Sequence, residues 1–166
     1  AMPIRWVRGV LLTPPDAHFS RRTLLAFVLS LGGSLLLVAL VLGALGLAGI
    51  TIDDTGLPER EAGVGDFLGM VLLAPLIETL VLIAFLALLP ARIGIVPRAV
   101  ISALLWGGLH ALAAPFWFFG VVWSFFVFSC GWLAWRPESF AHGFAAAAIP
   151  HALQNLTVFL VLAVAD

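Results

Sequence analysis

Residues 67–91 read Phe67-Leu-Gly-Met-Val-Leu-Leu-Ala-Pro-Leu-Ile-Glu78-Thr-Leu-Val-Leu-Ile-Ala-Phe-Leu-Ala-Leu-Leu-Pro-Ala91, and their only ionisable side chain is Glu78. A bilayer core of about 30 Å is crossed by about 20 apolar residues at helical rise. This stretch is therefore a membrane span with an acid set into its middle. Working outward, three further runs lack Asp, Glu, Lys and Arg: residues 23–52, 99–135 and 139–165. The run 99–135 is too long for one helix. Ala113-Ala114-Pro115 divides it, because the residue before a proline is pushed out of the helical region. The expectation is five spanning helices in a single transmembrane domain over 1–166. Residues 1–22 form a cytoplasmic or interfacial segment, with a short interfacial helix over Pro3 to Leu12, and an acidic outer loop covers 53–66. The fold class is all-α, a polytopic membrane helix bundle with its N-terminus in the cytoplasm. The first run is too long for the apolar core of a signal peptide, usually about 7–15 residues, and is read as an uncleaved span.

The whole composition agrees. The chain of 166 residues is 63% hydrophobic and 10% charged, with a mean hydropathy of +1.16. A soluble domain carries about 25% charged residues, so this one cannot clothe a water-facing surface. Arginine placement tests the helix count. With five spans, Arg5, Arg8, Arg21, Arg22, Arg92, Arg98 and Arg136 fall on one side and only Arg60 on the other, as the positive-inside rule requires. The loop around Arg60 holds Asp53, Asp54, Glu59, Glu61 and Asp66. These features imply a multi-pass protein of a bacterial inner (plasma) membrane. A net charge of −1 excludes bulk attraction to nucleic acid. Lipid is the constant partner. The lone Cys130 excludes an intrachain disulfide and reads as a small packing residue.

Ionisable groups at membrane depth are costly and mark function. Glu78 is twelve residues beyond Asp66, His110 twelve beyond Arg98 and His151 thirteen beyond Glu138. At helical rise these are about 18, 18 and 20 Å from their respective edges. An acid and two imidazoles on three helices thus reach nearly one depth. Asn155 follows His151 by four residues and shares its face. His142, nine residues before His151, takes the opposite face near the inner boundary, and His18 precedes the first span.

A carboxylate removed from water is a stronger base, suited to activating water near neutral pH. A neighbouring imidazole can hold that water. A second imidazole and an amide can donate hydrogen bonds to an oxyanion. No Gly-x-Ser-x-Gly elbow and no His-Glu-x-x-His zinc motif is present in the sequence. Glu78, His110 and His151 would also suit a zinc ion with one open position, an alternative to the expected absence of a cofactor.

These residues resemble a known family. Ala74-Pro75-Leu76-Ile77-Glu78, then Trp106-Gly107-Gly108-Leu109-His110, then His151-Ala152-Leu153-Gln154-Asn155 are similar to the three motifs of the CAAX-protease and bacteriocin-processing (CPBP, or Abi) intramembrane endopeptidases: Glu-Glu-x-x-x-Arg, Phe-x-x-x-His and His-x-x-x-Asn or Asp. The resemblance runs from about Phe67 to the C-terminus. It implies hydrolysis of a peptide bond in a membrane-anchored protein or peptide tail, without metal. Glu78 would be the general base, His110 would position the water, and His151 with Asn155 would bind the oxyanion. Thr79 stands where the family has its second Glu, Ile83 where it has Arg, and Trp106 where it has Phe. These departures weaken the implication of prenyl-CAAX specificity more than that of hydrolysis, and with fewer helices than CAAX proteases carry the chain resembles a compact variant acting on other tails. Two other functions remain open on the residues alone. One is a non-catalytic partner such as a bacteriocin self-immunity or scaffold protein. The other is a proton-coupled transporter using Glu78, against which the lack of internal repeats argues.

Overall fold

The structure, a computed structural model, describes Leu11, residues 18–50 and residues 63–165. Among these residues all regular structure is helical, and five helices are long and apolar enough to cross a membrane. They are α1 (Phe19–Leu47), α2 (Val64–Leu88), α3 (Ile95–Ala113), α4 (Trp117–Trp135) and α5 (Phe140–Ala165). The expected interfacial helix near the N-terminus and the acidic loop through Glu61 lie outside the described residues. Two boundaries differ from the sequence reading. Helix α1 begins at Phe19, so Arg21 and Arg22 lie within its first turn. Long arginine side chains can do this by reaching back toward the interface. Helix α2 begins at Val64 and takes in Asp66.

Chain breaks follow local chemistry. Leu89 is extended (ψ 134°) and ends α2 before Pro90. Ala114 is extended (φ −149°, ψ 116°) before Pro115 and separates α3 from α4, as the steric rule for pre-proline residues requires. Gly94 adopts φ 83° at the start of α3, a left-handed conformation that glycine takes without steric cost. Ser139 caps α5, its hydroxyl accepting the His142 N–H at 3.1 Å.

Helix α4 is the centre of the bundle. Phe125, Phe126, Val127, Phe128, Cys130, Trp132 and Leu133 are all buried there, and α1, α3 and α5 pack around it. Lipid tails offer no hydrophobic drive between helices, so close approach and polar pairs must hold them together. Both devices are present. Ser34 of α1, Ser124 of α4 and Gln154 of α5 form a buried chain of hydrogen bonds of 2.7 to 3.0 Å. Ser129 of α4 bonds Ser102 of α3 at 3.0 Å. Trp123 donates its indole N–H to the Leu29 carbonyl at 2.8 Å. Gly33 makes room for that ring, since a Cβ there would come within 1.9 Å of Trp123 Nε1. A Gly33→Leu variant must expel the indole and lose its bond. Overpacking of this kind costs about 1–3 kcal/mol, which a lowered melting temperature in detergent would register.

The ends of the helices sort by charge. The rings of Phe19, Trp135 and His142 cluster, with centroids 4.9 to 6.1 Å apart. The start of α1, the end of α4 and the start of α5 therefore share one end of the bundle, where Arg21, Arg22 and Arg136 also lie. Arg98, near the start of α3, reaches the same end and donates to the Leu86 carbonyl in the last turn of α2. That carbonyl needs an outside donor. Its helical partner would be the nitrogen of Pro90, four residues on, which carries no hydrogen. An Arg98→Met variant leaves it unpaired in the core, at a cost of about 1–3 kcal/mol. The check is a denaturant midpoint lower than that of the parent.

Candidate active site

Glu78 projects from α2, His110 from α3 and His151 from α5. The structure brings Glu78 and His151 together: Oε2 of Glu78 lies 3.7 Å from Nε2 of His151, with the histidine side chain 6% exposed and the glutamate side chain 26% exposed. This separation is just beyond hydrogen-bond range, so a small approach of either side chain would join them. His110 is within electrostatic range of both. The ring of Phe125 lies beside both imidazoles, 5.4 Å from His110 and 5.3 Å from His151 between centroids.

Aromatic rings fix both imidazoles. His151 stacks on Phe128, with centroids 4.8 Å apart and planes 20° apart. Trp106 stacks on Phe125 at 4.7 Å and lies 6.0 Å from His110. His110 Nδ1 is 2.9 Å from the Trp106 carbonyl. A carbonyl can only accept, so Nδ1 carries the hydrogen, and Nε2 holds the lone pair when the ring is neutral. This hydrogen bond decides which nitrogen His110 offers to a reacting molecule.

Three buried polar atoms in this region have no hydrogen-bond partner among the described residues: Glu78 Oε2, His151 Nδ1 and Trp106 Nε1. Leaving such a group unpaired costs about 1–3 kcal/mol, and unpaired groups are uncommon in native proteins. Three of them around one aromatic stack mark this as a place built to receive polar atoms.

Asn155 is placed differently from its three companions. Its Nδ2 donates to the Met70 carbonyl of α2 at 2.8 Å, so this N–H is committed to backbone. His142 is exposed at the arginine end and bonds Ser139 at 2.8 Å. Among the described residues no group of three or more His, Cys, Asp or Glu side chains is arranged to hold a metal ion. Thr79 and Ile83 point into the core, 1% and 9% exposed. Sequence reasoning passed over Ser34, Ser124 and Gln154. The depth test that took in Asn155 would have found Gln154 as well, had it been applied to every amide in the span.

No family model, curated protein or solved structure matches the chain. The class defined by its own residues is a five-helix membrane bundle with an acid and two imidazoles set between its helices.

Proposed function

We propose that this protein is a glutamate-type intramembrane endopeptidase of the CPBP kind, resident in a bacterial inner membrane with its arginine-rich end in the cytoplasm. Its substrate would be a peptide bond in a membrane-anchored protein or peptide tail. The observation that carries the reading is the pairing of Glu78 with His151 at 3.7 Å beside unpartnered buried polar atoms.

The chemistry follows from the atoms present. A water held by His110 Nε2 gives one proton to the Glu78 carboxylate as its oxygen attacks the scissile carbonyl carbon. The carbonyl π bond opens and its electron pair becomes an oxyanion. Protonated Glu78 donates to His151 Nε2, which leaves the hydrogen of a neutral His151 on Nδ1, without a partner among the described residues and able to donate to the oxyanion. When the C–N bond breaks, Glu78 passes its proton to the leaving amine. Water is split between the two products and Glu78 is returned to its starting state.

The test is cleavage of a membrane-anchored peptide by the purified protein in liposomes, with Glu78→Gln and His151→Ala beside the parent and with a zinc chelator added to each. Loss of cleavage in both variants and insensitivity to chelator support the metal-free reading. Chelator sensitivity would instead assign Glu78, His110 and His151 to zinc. Undiminished cleavage by Glu78→Gln would sink the proposal. Thr79 and Ile83, which replace the family's charge pair, favour a second reading as a non-catalytic membrane partner; partner binding that survives Glu78→Gln is its signature.

A further inference from the structure

Helix α2 carries a defect just ahead of its acid. Residues Phe67–Leu73 are wound as a π-helix, and Pro75 follows. In this winding Ala74 donates its N–H to the Gly69 carbonyl, five residues back. The next carbonyl in the ladder, that of Met70, then loses both possible donors. Its α-helical donor, Ala74, is spent on Gly69. Its π-helical donor would be Pro75, which has no N–H. Asn155 of α5 supplies the missing hydrogen, with Nδ2 2.8 Å from the Met70 oxygen.

We infer that Asn155 is a positioning residue, which holds α2 in its π-wound register through the Met70 carbonyl and so sets Glu78 against His151. Asn155 lies one turn beyond His151 on α5, and Met70 lies eight residues before Glu78 on α2. One hydrogen bond thus joins the two helices close to where Glu78 and His151 meet. Rewinding the π segment to α would turn the rest of α2 by roughly one residue, about 100°. That rotation carries Glu78 off His151. π segments inside α-helices are frequent at functional sites, and here the proline and the amide together explain how one is kept. This inference rests on the reading of Glu78 as the base, and it assigns Asn155 a different task from the oxyanion donor that the family resemblance implies.

The test is a double-variant cycle of Asn155→Leu and Pro75→Ala. Leucine removes the donor and keeps the volume. Alanine at 75 restores a backbone N–H and is the best helix former, so it favours the folded helix. The chain has two methionines, Met2 and Met70, so carbonyl-¹³C methionine labels two carbonyls, and the difference in the infrared amide band between a parent and a variant that share Met2 reports Met70. Asn155→Leu is expected to raise the frequency of that band and to lower kcat about a hundredfold with little change in KM, the scale of a reacting group displaced by about 1 Å. Adding Pro75→Ala frees the segment to wind as α, with Ala74 donating to Met70 and the N–H gained at position 75 to Val71, so the band is expected to return while turnover stays low. Two results overturn the inference: a Met70 band unmoved by Asn155→Leu, or a turnover lost in Asn155→Leu while the carboxyl stretch of Glu78 stays unmoved, which would place Asn155 on the substrate itself. Should the parent cleave no peptide, the peptidase reading fails separately. The carboxyl stretch of Glu78, identified by its loss in Glu78→Gln, then decides: a band that moves with Asn155→Leu and stays moved in the double variant sustains the positioning role, and an unmoved one ends it.

Discussion

A Glu78→Gln variant is expected to cleave a membrane-anchored peptide about a thousandfold more slowly than the parent, in the middle of the range for loss of a general base. The substitution keeps the shape of the side chain and its reach toward His151, 3.7 Å away. It removes only the ability to take a proton from water and to return it to the amine. Folding should hold, because an amide is easier than a carboxylate to bury beside aromatic rings. Glutamine should therefore separate chemistry from stability more cleanly than alanine. The measurement is single-turnover cleavage in liposomes, with size-exclusion profile and melting temperature as controls. A variant that cleaves at the parental rate would remove Glu78 from the mechanism.

The second large effect concerns the residue next to it. Thr79 is 1% exposed and Ile83 is 9% exposed, four residues apart on one face of α2. The motif that the chain resembles has Glu and Arg at these places. Thr79→Glu alone would bury a carboxylate with no cation beside it, and an uncompensated buried charge costs about 3–5 kcal/mol. Ile83→Arg in the same chain supplies the partner, and much of the loss should return. Denaturant midpoints in detergent for the parent, the single variant and the double variant give the comparison. A Thr79→Glu variant as stable as the parent would show that this face is open to water. The expected result explains how the chain can dispense with the pair: replacing a buried ion pair by well-packed neutral side chains is often neutral or stabilising. Glu78 then stands as a lone carboxylate because its neighbours serve the core.

Much of this was legible along the chain. Apolar run length gave five spans, and Ala114-Pro115 gave the break between α3 and α4 where the backbone turns extended. Counting residues from charged edges put Glu78, His110 and His151 at nearly one depth on the constant rise of an α-helix, a count that could not see the π-wound Phe67–Leu73 between Asp66 and Glu78. Depth, however, is only one coordinate. Whether side chains at one depth face each other depends on the rotation of each helix, and rotation depends on packing between helices. The sequence alone therefore could not tell that Phe125 packs beside both imidazoles, or that Asn155 turns to a backbone carbonyl.

The prolines draw the same line. Pro75 and Pro90 are plain in the sequence, and a proline past the first turn of a helix, or just beyond its end, leaves an earlier carbonyl without its donor. Only the tertiary structure decides what fills the gap: Asn155 for Met70 and Arg98 for Leu86, each from another helix. A carbonyl can be orphaned by its own segment, but it can be satisfied only by whatever the fold brings alongside. What the amino-acid sequence determined by itself is therefore local and one-dimensional: which segments cross, where they break and how deep the acid lies. What the tertiary structure decided is which groups meet Glu78, because that is settled by the turn of α2 against α5, which nothing within α2 fixes alone.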